Sequence, residues 1–233
     1  MSDVLRVFLI DFIVNVFESI AGMSLILGLF RFSFNKNYFI NTMIVSVVLA
    51  MTSYLMRFSL EMPAMTSFFM IAWIIVLLWR LFRIHVFFSA LMAVTGYMTY
   101  ITIQYVVVMV TGVFYDLNEL IQSFLVVKYL QVIASVLSLL LYLFITRKRI
   151  GFTFVPDRAD LSVIPNRFHV MLTALTIVSG LVICFASLIS VFAAYLFPVV
   201  SGALMALLIF LNYMYEKEKT NDRSPHSPNH PVY

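Results

Sequence analysis

Three polar residues lie at helical spacing inside the first long apolar stretch of this sequence. Asp11, Asn15 and Glu18 are spaced i, i+4, i+7, so an α-helix places them on one face. Ionisable side chains are costly in the lipid core of a membrane, and those found there usually face a bundle interior or a cavity. If the stretch spans a membrane, this polar strip therefore predicts a ligand or ion path.

A lysine in a later apolar stretch is the expected partner of the strip. Lys128 lies about two helical turns into the fifth stretch, at roughly the depth of Asp11 in the first. An Asp11–Lys128 ion pair is therefore expected, with Glu18 as a deeper partner or proton acceptor. Gln104 and Asn212 are expected to form interhelical hydrogen bonds. The candidate residues of the path are Asp11, Asn15, Glu18, Gln104, Lys128 and Gln131.

These features also have a structural alternative. The buried charges could simply neutralise each other and fix how the helices pack, since desolvation of an ion pair offsets its attraction. Likewise Tyr97, Tyr100, Tyr105 and Tyr115, along or just beyond the fourth stretch, either border an aromatic pocket or pack in the ordinary way.

Composition supports the membrane interpretation. Of 233 residues, 63% are hydrophobic and 11% are charged, whereas average soluble chains carry about 25% charged residues. Stretches of about 20 apolar residues can cross the lipid core, and backbone groups there must be satisfied within a helix. We therefore predict an all-α, polytopic transmembrane helix bundle. Seven spans are expected, at 5–30, 39–56, 63–79, 86–114, 120–145, 170–189 and 197–215, with a six-span alternative in which the last two form a re-entrant or broken pair.

The distribution of basic residues predicts the orientation, because short cytoplasmic loops are enriched in Lys and Arg. With seven spans and a cytoplasmic C-terminus, only Arg6 and Arg57 fall outside, and Lys128 lies within a span. The remaining twelve of the 15 basic residues then face the cytoplasm: Arg31, Lys36, Arg80, Arg83, Arg147, Lys148, Arg149, Arg158, Arg167, Lys217, Lys219 and Arg223. The N-terminus is therefore expected outside.

Two domains are expected from the change in composition near the C-terminus. Residues 1–215 form the transmembrane helical domain, and residues 216–233 (EKEKTNDRSPHSPNHPVY) form a disordered cytoplasmic tail. The first apolar run lacks a basic n-region and carries acidic residues, so we expect a retained helix and no cleavable signal peptide. The inner loop Gly151–Arg167 is expected to be a solvated connector.

Motifs for catalysis, metal or cofactor binding are lacking in the sequence. It has no G-x-S-x-G elbow, H-E-x-x-H motif or P-loop. Cys184 and His169 are separated by fifteen residues, about 22 Å along a helix, which argues against a catalytic dyad. His226 and His230 lie in the polar tail. We therefore expect a non-enzymatic protein with no cofactor and no metal, and the small net charge indicates no nucleic-acid partner.

Three segments resemble the membrane sensor domain of peptide-responsive histidine kinases of the accessory-gene-regulator type. They are Phe30–Tyr38 (FRFSFNKNY), Leu81–Tyr97 (LFRIHVFFSALMAVTGY) and Leu204–Lys219 (LMALLIFLNYMYEKEK), the last a final span that runs into a charged helical continuation. In that family the continuation leads to a phosphorylated histidine and an ATPase domain. The 233 residues contain neither, so the resemblance implies a sensor-like module without kinase activity.

Three functional hypotheses follow. The first is a non-enzymatic membrane sensor or signalling accessory in the bacterial plasma membrane, binding a peptide or apolar ligand. Its partners would be the lipid bilayer and a signalling protein or a second copy of the chain. The alternative is a small permease or the substrate-binding subunit of a transporter, motivated by the polar strip. An intramembrane enzyme of unrecognised type, dependent on Cys184, is the third.

Overall fold

The chain folds as a bundle of helices. The computed structural model describes residues 2–32, 36–62, 65–115, 123–152, 155, 167–186 and 193–223, and the regular elements in them are helical. In chain order they are α1 (Ser2–Leu29), α2 (Lys36–Tyr54) with a π-helical turn (Leu55–Ser59), α3 (Thr66–Leu81), α4 (Val86–Gly112), α5 (Phe124–Lys148), α6 (Arg167–Ala186) and α7 (Ala193–Arg223). Each expected span coincides with one helix, so the all-helical prediction is confirmed.

Among the described residues, four segments are long and apolar enough to cross a membrane: Leu5–Leu29, Lys36–Ser59, Val86–Gly112 and Phe124–Lys148. The apolar stretches described in the other three helices are shorter, namely Thr66–Leu81, Val170–Val182 and Val199–Met214. The six-span alternative concerns α6 and α7, which are two separate helices packed against each other. The number of membrane crossings remains a prediction.

Two contacts between helices that are distant in sequence show how the helices alternate in direction. Near the starts of α1 and α5, Asp11 contacts Lys128. At the opposite end, near the start of α2 and the end of α3, Asn41 Nδ2 donates to the carbonyl oxygen of Leu81 at 3.1 Å. We call the end where α1, α3 and α5 begin the upper end, and the opposite one the lower end.

Helix α4 lies at the centre of the bundle, against α1, α3, α5, α6 and α7. Its approach to α1 is close because Gly96 faces Ile26. A Cβ atom at Gly96 would lie 3.2 Å from the Cα atom of Ile26 and closer still to its side chain. The missing side chain therefore lets the two backbones approach, as small residues do in membrane bundles.

The last helix extends further than expected. α7 continues to Arg223, eight residues into the segment that was expected to be a disordered tail from residue 216. Glu and Lys are good helix formers, and an existing helix adds residues more easily than a new one nucleates. Residues 224–233, with His226 and His230, lie outside the described part. The hydrogen bond expected of Asn212 is also not seen, since both polar side-chain atoms are buried with no partner in the described structure.

Candidate functional site

The ion pair expected between the first and fifth helices is present. Lys128 Nζ lies 2.6 Å from Asp11 Oδ1, and the two side chains are 6% and 1% exposed. The other oxygen of the carboxylate, Asp11 Oδ2, accepts a hydrogen bond of 2.7 Å from Asn15 Nδ2. Lys128 Nζ also donates to Gln131 Oε1 at 2.9 Å. These two buried charges are therefore compensated, and each has a further hydrogen-bond partner.

The second acidic residue of the strip, Glu18, turns towards α4 instead. Gln104 Nε2 donates to Glu18 Oε1 at 2.7 Å, which is the interhelical hydrogen bond expected of this glutamine. The same nitrogen lies 3.2 Å from Tyr100 Oη. Glu18 was expected to be a deeper partner of Lys128. The two residues interact electrostatically without a salt bridge in the described structure, and Glu18 interacts in the same way with Arg57.

A hydrogen-bond chain connects the two clusters through α4 and α5. Tyr100 Oη lies 3.1 Å from Ser135 Oγ, and this hydroxyl donates to the main-chain oxygen of Gln131 at 2.8 Å. The side chain of Gln131 in turn contacts Lys128. All six candidate residues from the sequence therefore belong to one polar network shared by α1, α4 and α5.

A cavity of about 120 Å³ lies beside Glu18 in the upper half of the bundle. It is lined by Asn15, Glu18, Ser19, Ser53, Arg57, Thr66, Ser67, Met70, Tyr97, Tyr100 and Gln104. A smaller space of about 30 Å³ adjoins it and runs along α1 towards Met23, Ile26, Leu49 and Ile74. A polar chamber with an apolar extension thus lies between α1, α2, α3 and α4.

The positive charge at this cavity comes from Arg57, which was expected only to lie in an outer segment. Arg57 belongs to the π-helical turn Leu55–Ser59, in which the amide of Leu60 donates to the carbonyl oxygen of Leu55 at 2.9 Å. Such i→i+5 turns often occur at functional sites. The widened turn carries the guanidinium to the cavity wall. Hydrophobic periodicity does not distinguish this turn from an α-helix, so the position of Arg57 could not be predicted.

Two hydroxyl groups at the cavity lack a hydrogen-bond partner. Ser19 Oγ and Thr66 Oγ1 are buried and unpaired in the described structure, and both side chains line the cavity. Ser19 is 6% exposed and Thr66 is 7% exposed. A buried polar atom left unpaired costs about 1–3 kcal/mol, so such atoms are normally satisfied by water or a ligand.

Four tyrosines along or beyond α4 were expected either to border an aromatic pocket or to pack in the ordinary way, and the structure shows both cases. Tyr97 and Tyr100 border the cavity, so part of the aromatic pocket is present. Tyr105 is partly buried, and Tyr115 is 66% exposed beyond the end of α4. Cys184 and His169 both lie on α6, but their side chains are outside the described part of the structure.

A groove at the lower end differs from this site in shape and chemistry. It has a volume of about 810 Å³ and lies between the ends of α1 and α5 and the middle of α7, and its walls are mainly apolar. The lining residues include Leu29, Ile145, Phe152, Met205 and Phe210. The smaller upper cavity, with its charged residues and unpaired hydroxyls, is the better candidate for specific recognition, because a few placed polar groups give a pocket its selectivity.

No protein-family model matches the chain, and no similar curated protein or solved structure was found. Its function is therefore inferred from the geometry of the site.

Proposed function

We propose that this chain is a multi-pass protein of the bacterial plasma membrane that binds a small polar ligand and acts as a non-enzymatic, sensor-like signalling accessory. The observation that carries the proposal is the upper cavity. Glu18, Arg57 and two unpaired hydroxyl groups converge on about 120 Å³ within a bundle of apolar helices. Burying charged side chains among apolar membrane helices costs free energy, so their presence there indicates a functional site.

The orientation from the basic residues supports access from outside the cell. Exposed Lys and Arg residues lie at the lower end, on the helix ends and connections at Arg31, Lys36, Arg80, Arg83, Arg147, Lys148 and Arg149. Because such residues favour the cytoplasmic side, the upper end with its cavity faces out. A ligand in the external medium then reaches Glu18 without crossing the membrane.

A contact between α4 and α7 supports the signalling role. Helix α4 supplies Tyr97, Tyr100 and Gln104 to the cavity wall, and it packs along α7. Thr102 Oγ1 lies 3.4 Å from Ser201 Oγ across this contact. α7 then continues through a charged segment to Arg223. A shift of α4 on ligand binding would therefore move a helix that extends towards cytoplasmic partners.

Site-specific photo-crosslinking tests this proposal. A photoreactive residue at Lys217, which is exposed on the charged part of α7, should capture a two-component signalling protein or a second copy of the chain in native membranes. The matched control is Leu125, which is exposed at the opposite end of the bundle. Capture of lipid alone at both positions, identified by mass spectrometry, would contradict the signalling role.

A small permease or transporter subunit is the second candidate. It is favoured by the extension of the cavity past Glu18 towards Ile26 and Ile74, which continues the polar chamber deeper into the bundle. Substrate-dependent flux into proteoliposomes that is lost in Glu18→Gln would support this function over sensing. Binding to the protein without any flux would support the sensor.

A further inference from the structure

The charges around the upper cavity restrict the kind of ligand it can hold. Asp11 and Lys128 neutralise each other in a direct salt bridge, so neither needs a charged ligand. Glu18 and Arg57 border the cavity from different helices and interact electrostatically, yet no salt bridge joins them in the described structure. The cavity wall thus presents one carboxyl group and one guanidinium group that are both available to a third partner.

The unpaired hydroxyl groups add neutral hydrogen-bonding capacity beside these charges. Ser19 lies one residue after Glu18 on α1, and Thr66 begins α3. Each hydroxyl can donate one hydrogen bond and accept two. A ligand in the cavity can therefore pair with these hydroxyl groups through donor atoms, acceptor atoms or both.

The volume limits the ligand to a few heavy atoms. An apolar cavity of about 150 Å³ holds one benzene molecule, and a water molecule in the liquid occupies about 30 Å³. The upper cavity, at about 120 Å³, is somewhat smaller than the benzene site. The adjoining space of about 30 Å³, towards Met23 and Ile26, leaves room for no more than a small apolar substituent.

We infer that the upper cavity binds a small zwitterion that carries an ammonium and a carboxylate group on neighbouring atoms, such as an α-amino acid with a minimal side chain. This inference rests on the proposed ligand-binding function and names the ligand class. Glu18 accepts hydrogen bonds from the ammonium group. Arg57 donates to the carboxylate, for which the planar guanidinium fork is well suited. Ser19 and Thr66 supply the remaining hydrogen bonds, and a methyl side chain fits the apolar extension.

Equilibrium dialysis with radiolabelled glycine, using the full chain in lipid nanodiscs, tests this inference. Glycine should bind, and unlabelled alanine should compete. Methylamine and acetate, which each carry one of the two charges, should not compete, and phenylalanine is too large. Competition by methylamine or acetate as strong as that by alanine would overturn the zwitterion assignment while leaving a ligand-binding cavity intact.

Two charge-neutralising variants give the second arm of the test. Glu18→Gln and Arg57→Gln should each weaken glycine binding about tenfold or more, because hydrogen bonds to charged groups are among the strongest that proteins form. The matched controls are Glu61→Gln and Arg6→Gln, which make the same charge changes at exposed residues of the upper end. Circular dichroism confirms that each variant is folded.

Three results would contradict the inference. The first is that glycine does not bind to the folded wild-type protein. The second is that both cavity variants retain wild-type affinity, and the third is that the control variants lose as much affinity as the cavity variants. The first result would contradict the zwitterion ligand but not the proposed sensor role, which the crosslinking experiment at Lys217 tests independently.

Discussion

Two pairs of opposite charges lie in the upper half of the bundle, and they have different physical roles. Asp11 and Lys128 are in contact at 2.6 Å and almost fully buried. Glu18 and Arg57 face a cavity and are each partly exposed. A buried pair in contact stabilises mainly by avoiding the penalty of an isolated charge, whereas separated charges at a cavity are available to a ligand. We therefore propose a structural role for the first pair and ligand binding for the second.

Removing one partner of the structural pair should destabilise the bundle. Asp11→Asn leaves the ammonium group of Lys128 buried without its counter-charge, and Lys128→Met does the reverse. Each single variant should lose about 3 kcal/mol or more of unfolding free energy, because the remaining charge is uncompensated. Denaturant titration in detergent micelles, followed by circular dichroism, measures the loss.

The double variant distinguishes charge compensation from packing. Asp11→Asn combined with Lys128→Met removes both charges together and should recover much of the stability that either single change loses. If the two losses simply add, the side chains act independently and the assigned role is wrong. Glu61→Gln, at an exposed acid of the same end, serves as the neutral control.

At the residue scale, the sequence identified the groups that form the buried network but not the walls of the cavity. Charged and amide side chains within apolar stretches are rare, so Asp11, Glu18 and Lys128 stood out, and equal helical depth predicted which of them pair. Ser19 and Thr66 carry no comparable signal, because single hydroxyl groups are common in membrane helices. Only the structure shows that their hydroxyl groups are buried beside the cavity without a hydrogen-bond partner.

The helices themselves were the most predictable level of the structure. The expected spans end within four residues of the observed helices, except at the C-terminus of α7. Long apolar stretches bounded by charges determine such ends, whatever the helices pack against. The π-helical turn at Leu55–Ser59 and the close approach of Gly96 to Ile26 depend on contacts between helices, which one sequence does not reveal.

A pair of glycine substitutions tests the packing of α1 on α4. Gly96→Ala should cost about 1–3 kcal/mol, because its new methyl group meets the backbone and side chain of Ile26. Gly202→Ala on α7 is the matched control. A Cβ atom there meets nothing within 4 Å, so that change should be neutral or stabilise by up to about 1 kcal/mol through helix propensity.

Thermal unfolding of both variants in the same detergent gives the comparison. Ile26 is itself buried, so Ile26→Ala lowers stability by leaving a cavity. This loss should be smaller in the Gly96→Ala background than in the wild type, whereas in the Gly202→Ala background it should equal the wild-type loss. Equal stability of the two glycine variants would show that α1 and α4 do not approach as closely as the structure indicates.

The two ends of the whole molecule differ in chemistry, and this difference underlies its proposed function. The upper end contains the ion pair and the polar cavity, whereas the exposed arginines Arg31, Arg83 and Arg149 lie at the lower end. Apolar side chains such as Ile13, Ile44 and Leu140 are exposed around the helices between these ends. A bilayer would cover that surface and separate an external binding site from a cytoplasmic signalling end.

Cysteine accessibility in intact cells measures this central claim most directly. In a Cys184→Ser background, Ser67→Cys at the cavity should react with a membrane-impermeant thiol reagent added outside the cells. Thr146→Cys, exposed at the lower end, should react only after permeabilisation, and Ser46→Cys, buried away from the cavity, should not react in the folded protein. Reaction of Thr146→Cys in intact cells, with Ser67→Cys protected until permeabilisation, would contradict an outward-facing ligand site in a membrane-spanning bundle.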